Sequence, residues 1–348
     1  MVSVETLVTF SKHNHLSCAA AVVKHFDDFH EDQFDFHAYC VRKVTLRAYV
    51  DVLRFEDNLW SESYYFRAAE GIIKIYLHLH DNPAIIEDGK EPDYSKMTAA
   101  ERKKAKAIAR KKRIQAEKRK TERLKKEAAA AENGGQKKKG GKPSPVDEDP
   151  DGEELLKKDP LDEAKKYSAI LSKHSPKKIG TWALQYDVSI RRKKVLLALQ
   201  SLFKMRGLDG EDPGYFSRLV DFGLKMPAFG DLPGVVRTVV QEEFSKLIDK
   251  KSISDFVSQA ADRARQNVNS SLPARVAIAE GLVKIDPTSR GAAASIILDG
   301  GIDGKGVDFK SCQAALAALK SFGKEAEEST KQWLSIVKAR FPLITEFS

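Results

Sequence analysis

The sequence predicts an all-α protein: antiparallel helix pairs of tetratricopeptide-like size, forming a superhelix that is interrupted by one long basic helix and a disordered acidic linker. Three observations carry this. Apolar residues recur at helical spacing along most of the 348 residues, with no convincing strand. Turn residues punctuate the chain at helix-pair intervals. The basicity is concentrated: residues 101–126 hold 14 Lys/Arg against 3 Glu, a net of +11, whereas the whole chain carries +9, so the remainder sums to −2.

Residues 1–90 read as tetratricopeptide-like repeats. A first helix over 2–26 has Leu7, Phe10, Leu16, Ala20, Val23 and Phe26 as its apolar members. An acidic, aromatic connector follows, in which His25, His30 and His37 sit beside Asp27, Asp28 and Asp32; these spacings match no metal-ligand set, and helix capping is the simpler role. Over 36–57, Tyr39, Leu46, Tyr49, Val50 and Leu53 share one helix side, and Val41, Val44, Ala48, Val52 and Phe55 share the opposite one. Two opposed stripes predict a helix sandwiched between neighbours. The partner helix, 63–80, carries Phe66, Ala69, Ile72, Ile73, Tyr76 and Leu77 on one face and stops at Asp81-Asn82-Pro83. His78 and His80, two apart, face different ways and chelate poorly.

Residues 97–132 predict a solvent-exposed basic helix. Thr98 and Glu101 form a capping box, and no Gly or Pro intervenes before Ala131. About 30 residues would span roughly 45 Å. Ala105, Ile108, Ala109 and Ala116 give a thin apolar stripe, so burial cannot hold this helix. It is a solvated charged rod, a bipartite nuclear-localisation signal, or a polyphosphate contact. For the last of these the candidate RNA or ribosome ligands are Lys103, Lys104, Lys106, Arg110, Lys111, Lys112, Arg113, Lys118, Arg119 and Lys120. No aromatic residue interleaves them, so binding would follow shape and salt rather than base sequence.

Residues 133–158 read as a disordered linker, rich in Gly, Lys and Pro and then acidic. Residues 147–163 carry nine Asp/Glu and two Lys, a net of −7. Asp159-Pro160 opens a C-terminal helical array over 159–345, with Asp as cap and Pro in the first turn. Ser175-Pro176, Asp212-Pro213, Pro227, Pro233, Pro273 and Asp286-Pro287 mark later boundaries, giving about nine helices.

Nothing in the sequence assembles a catalytic site. The run Gly300-Gly301-Ile302-Asp303-Gly304-Lys305-Gly306 is one residue short of a phosphate loop and has Gly306 where Ser or Thr must hold magnesium, so an inter-helix loop is the better reading. Asp209-Gly210-Glu211-Asp212 lacks the other ligands of a calcium loop. Cys18, Cys40 and Cys312 share no metal or redox spacing and suggest a reduced, intracellular setting. No apolar run reaches the length of a membrane span, and the N-terminus does not read as a signal peptide. The expectation is a non-enzyme with no metal, no cofactor of its own and no membrane.

Several stretches together resemble one family. They are Glu31-Asp32-Gln33-Phe34-Asp35-Phe36-His37 with Tyr39-Cys40 and Arg42-Lys43; Thr45-Leu46-Arg47 with Tyr49-Val50-Asp51; Tyr64-Tyr65-Phe66 with Ala68-Ala69; and Ile75-Tyr76-Leu77 ahead of Leu79-His80-Asp81-Asn82-Pro83. Met97-Thr98, Phe203 closing the 195–201 helix, and Ser271-Leu272-Pro273 with Arg275 ahead of Asp286-Pro287 extend the likeness. The chain resembles the C-terminal portion of the auxiliary subunit of the NatA N-terminal acetyltransferase complex. That resemblance implies a tetratricopeptide superhelix that wraps a small GNAT-fold catalytic subunit and docks it on the ribosome. Acetyl-CoA and the catalytic residues would belong to that partner, a small regulatory subunit could join, and the inositol-phosphate contacts of the family would lie upstream of Met1. It implies a cytoplasmic location with a nuclear pool. The alternative is a nuclear, nucleic-acid-associated regulatory protein acting through its basic helix alone.

The acidic run also has an intramolecular role on this reading, screening the basic helix. Deleting residues 147–154 is therefore expected to raise polyanion affinity at low salt; unchanged retention on heparin would remove that role.

Overall fold

A computed structural model of the chain describes residues 16–30, 46–83, 155–156, 158–229, 233–266, 270–300 and 306–342. Among these residues every regular element is helical, and no helix is long and apolar enough to cross a membrane. The α-helices are α1 (16–30), α2 (Leu46–Asp57), α3 (Ser63–Asp81), α4 (Pro160–His174), α5 (Ile179–Arg191), α6 (Val195–Leu208), α7 (Pro213–Lys225), α8 (Gly234–Leu247), α9 (Ile253–Gln266), α10 (Leu272–Ile285), α11 (Arg290–Asp299), α12 (Phe309–Ser321) and α13 (Glu327–Arg340). The predicted basic helix, and the linker apart from residues 155–156 and 158, lie outside the described residues.

The chain separates into two units. One comprises Met1–Ala21 and Ile75–Pro160, the other Val22–Lys74 and Leu161–Ser348. In the first, Leu16, Tyr76, Leu77 and Leu79 are buried, and the Tyr76 hydroxyl donates to the Leu155 carbonyl at 3.4 Å.

Two large cores, with a smaller one around Ala261, Ala264 and Ile296, lie among the described residues of the second unit. Tyr186, Val195, Leu199, Leu202, Leu219, Phe222 and Phe244 unite α5 to α8. Val276, Ala293, Ile297, Cys312, Leu319, Trp333 and Val337 unite α10 to α13, with the Trp333 indole donating to the Cys312 carbonyl at 3.3 Å. Between α5 and α7 the Arg218 guanidinium forks onto Asp187, at 3.0 Å through Nε and 2.5 Å through Nη2, a two-point pair that fixes register as well as contact.

Helix starts follow the sequence signals. Asp212 accepts from the Tyr215 N–H ahead of Pro213, and Ser271 from the Ala274 N–H ahead of Pro273. Asp308 accepts from Ser311 N–H at 2.7 Å while its own N–H donates to the Ser311 hydroxyl at 2.8 Å.

Three expectations change. The described part of the first helix runs to residue 30, past the predicted end at 26, because no breaker intervenes and its aromatic residues keep finding partners: Phe26 packs edge-on to Tyr65 and Phe29 to Phe55, each at 5.4 Å. Among the described residues helix α2 is not sandwiched. No residue of it with a described side chain is buried, and Val50 and Phe55, from opposite stripes, are 41% and 40% exposed. Two apolar stripes state what a helix is able to bury; they do not supply the neighbours. Ten α-helices, rather than nine, lie between Pro160 and Arg340 among the described residues, α11 being short enough to merge with its loops in the sequence.

The hydrogen bonds to Ser311 hold the Asp308 carboxyl below the ordinary aspartate range. A folded pKa below the unfolded one stabilises above the unfolded value and loses that contribution as pH falls through the folded value. Asp308→Ala is expected to cost about 1 kcal/mol near neutral pH in urea unfolding, with the gap to wild type closing towards pH 3; a gap independent of pH would refute the capping role.

Candidate functional site

All ten candidate ligands from Lys103 to Lys120 lie outside the described residues. What the structure does describe is how the chain is held on either side of that stretch. Helix α3 ends at Asp81, where the Asn82 side chain donates to the His78 carbonyl at 3.0 Å and meets the His78 ring at 3.3 Å. His80 sits 3.2 Å from Asp81. Asn82 thus closes the helix on the His78 carbonyl, and His78 and His80 each meet a different neighbour.

A second joint binds the chain before the basic stretch to the chain after it. The turn between α2 and α3 is a 3-10 helix, Leu59–Ser61, with Leu59 buried. Its Ser61 carbonyl accepts from the Lys178 ammonium at 3.2 Å, and the same ammonium lies 4.4 Å from the centre of the Phe66 ring. Lys178 precedes the first residue of α5 and is half-buried, so its charge is spent on a carbonyl dipole and a ring face instead of a carboxylate. Gly180 allows the approach: a Cβ there would meet Phe66 at 3.3 Å. Trp60 packs edge-on to Tyr65 at 5.0 Å and lies 6.3 Å from His174. Burial, with the Asp27 charge behind it, pushes the Tyr65 hydroxyl well above the ordinary tyrosine range, and burial lowers His174, so both are neutral at physiological pH. Beyond the Ser175-Pro176 turn nothing in the residue pattern announces this joint, since a lone lysine in a turn normally reads as solvated.

The glycine-rich run after α11 has a structural explanation at its first residue. A Cβ on Gly300 would lie 2.4 Å from Nε of Arg275, whose side chain is buried and donates through Nη1 to the Ile296 carbonyl at 3.0 Å. Residues 301–305 lie outside the described residues. The guanidinium satisfies one of the carbonyls left unpaired at the end of α11, and only glycine leaves it room. Among the described residues no group of three metal-ligating side chains forms. The Cys312 thiol is buried and pushed up by desolvation, which keeps it an unreactive thiol.

Comparison with known proteins gives a consistent picture. Residues 12–205 match the family described as N-terminal acetyltransferase A, auxiliary subunit. An Arabidopsis thaliana protein, the N-terminal acetyltransferase A complex auxiliary subunit NAA15, is 36% identical over 289 residues, covering 80% of this chain and 31% of the relative. The human N-alpha-acetyltransferase 16, NatA auxiliary subunit, is 36% identical over 243 residues, covering 68% of this chain and 28% of the relative. The chain thus spans less than a third of these relatives. A solved structure of Naa15/Naa10 bound to HypK-THB aligns at 26% identity with a TM-score of 0.46, over 70% of this chain and 28% of that one.

Lys178→Met keeps the aliphatic stem but removes the ammonium. It is expected to cost about 1–2 kcal/mol, the sum of a partly solvated charge-assisted hydrogen bond and a cation–π contact, whereas Lys178→Arg is expected to retain most of the stability. Equal urea midpoints for wild type and Lys178→Met would show that the joint depends on packing alone.

Proposed function

The chain belongs to the family of N-terminal acetyltransferase A auxiliary subunits, and from that premise we propose that it is a non-catalytic scaffold. On this reading it binds a GNAT-fold catalytic subunit, leaves acetyl-CoA to that partner, and helps to anchor the pair on the ribosome during synthesis of the nascent chain. A small regulatory subunit belongs to the same assembly. The match of residues 12–205 to the auxiliary subunit, rather than to a catalytic one, carries the proposal.

The net +11 over residues 101–126 supports the ribosomal part of the reading. Fourteen cations with no interleaved aromatics suit a backbone of phosphates, whose contacts are independent of sequence and weaken steeply with salt. The same residues, Lys103-Lys104 ahead of Lys118-Arg119-Lys120, have the form of a bipartite nuclear-localisation signal, so the location proposed is cytoplasmic with a nuclear pool.

Two measurements test this. Purification of the tagged chain from cells is expected to bring down a GNAT-fold protein together with ribosomal proteins; ribosomal proteins without an acetyltransferase would remove the scaffold role. Replacing Arg110, Lys111, Lys112, Arg113, Lys118, Arg119 and Lys120 by Glu is expected to abolish ribosome co-sedimentation at moderate salt. With about six phosphates engaged, the log–log salt slope of the unaltered chain should be roughly −4 to −5. Undiminished pelleting of the substituted chain would eliminate ribosomal RNA as the target.

A further inference from the structure

A cleft of about 400 Å³ lies between the α5–α6 turn and the end of α7, and Ile190, Val195, Ala228 and Phe229 give it an apolar floor. Its size is in the lower part of the range of small-molecule sites, about 300–1,000 Å³. The floor is preformed. Val195 is buried in the core that unites α5 to α8, and Ile190 and Phe229 pack against that core. The Phe229 ring centre lies 5.6 Å from that of the fully buried Phe222, so the ring is fixed from behind. Ala228, exposed in the 3-10 turn Met226–Ala228, brings only a methyl group and leaves the space open. Water there finds no hydrogen-bond partner on these four side chains, and an apolar occupant displaces it favourably.

Three cations also line the cleft, and two of them are engaged. Lys225 pairs with Asp221 at 2.8 Å. Arg191 donates to the Asp187 carbonyl at 2.9 Å and takes part in a further interaction. Lys193 differs from both: it is exposed, and its ammonium has no carboxylate partner among the described residues.

Lys193 is also held where a lysine is disfavoured. Helix α5 closes with Lys194 N–H donating to the Ser189 carbonyl at 2.9 Å and Lys193 N–H to the Ile190 carbonyl at 3.1 Å, the double bond pattern that puts the residue after the cap in the left-handed region. That residue is Lys193, with φ 58°. Glycine adopts this conformation without strain and lysine does not. Conflicts of this kind between residue and backbone concentrate at binding sites.

We propose that the cleft binds a small monoanion with an apolar body, a medium-chain alkyl carboxylate being the simplest, whose chain lies over Phe229, Val195 and Ile190 while its carboxylate meets Lys193. One unengaged cation selects one negative charge. A polyphosphate brings several charges and has nothing apolar to lay on the floor. This inference is independent of the acetyltransferase reading and does not involve the basic stretch at 101–126.

Equilibrium dialysis of the full chain against radiolabelled butanoate, hexanoate, octanoate and octanol tests it. Affinity is expected to rise about three- to fourfold with each methylene added from butanoate to octanoate. General attraction to the basic stretch is the same for every carboxylate in the series and contributes nothing to that rise. Ala228→Trp puts bulk at an exposed position and is expected to fill the cleft and flatten the series. Lys193→Gly keeps the turn, because glycine takes a φ of 58° without strain, and removes the cation. It is expected to lower the ratio of octanoate to octanol affinity about threefold, the contribution of one exposed ion pair, while the rise per methylene persists. Equal affinities along the series, a rise that Ala228→Trp leaves intact, or a ratio that Lys193→Gly leaves unchanged would overturn the site. A peptide ending in Leu-Phe with a free terminal carboxylate that binds more tightly than octanoate, and loses that advantage in Ala228→Trp, would overturn the small-molecule assignment in favour of a protein C-terminus.

Discussion

The contact of Lys178 with the Ser61 carbonyl and the Phe66 ring is the constraint that ties the chain before the basic stretch to the chain after it. The two residues of its hydrogen bond are 117 positions apart, and residues 101–126 between them carry a charge that no core accepts. Closing a flexible loop of that length costs about 4 kcal/mol in chain entropy, a term that grows only logarithmically with length. Full burial of a large apolar side chain contributes about 1.5–3 kcal/mol, so Leu59, Tyr65 and Leu171, all fully buried, are enough to offset closure. The ammonium then selects which surfaces meet. Because the cost depends so weakly on length, the inserted segment can be long and highly charged without undermining the helices on either side.

The sequence was most informative where one residue acts on its immediate neighbours. Helix α3 fills 63–81 as its stripe of Phe66, Ala69, Ile72, Ile73, Tyr76 and Leu77 indicated, all of them buried but the half-buried Phe66. Cys312, Ala315, Leu316, Leu319 and Phe322, spaced as one helix face along α12 and its end, are likewise buried throughout. Asp212-Pro213 and Ser271-Leu272-Pro273 cap and open helices as those residue types do anywhere. These are local effects, in which capping bonds and apolar spacing act within one or two turns.

Long-range effects were hidden. Nothing in Gly300 announces that Arg275 occupies the space of its missing Cβ, because the two come together only when α10 packs on α11. A glycine-rich run suggests freedom; at Gly300 the requirement is the reverse, a close approach that admits no other residue. Lys178 and Lys193 were illegible for a related reason. Lysine in a turn is solvated unless tertiary structure brings it a ring or a carbonyl, and an unstrained reading of Arg191-Arg192-Lys193-Lys194 has no way to register a left-handed backbone. The double stripe of α2 failed differently, since pattern reports the capacity for burial, and Val50 and Phe55 each keep about two-fifths of their surface exposed.

The two basic regions of the chain therefore have different physics despite similar composition. In residues 101–126 cations are interleaved with alanine, glutamate and glutamine, and an opposing surface would gain from them only electrostatic attraction, screened beyond about 8 Å at physiological salt. Around the cleft Arg191 and Lys193 stand beside Ile190, Val195 and Phe229, so that any surface covering them would also remove apolar area from water, a term that salt does not screen. The first kind of surface collects any polyanion and releases it as ionic strength rises. Charge alone and charge beside apolar surface thus answer differently to ionic strength: attraction of the first kind weakens as salt rises, and the second retains the part that comes from burial.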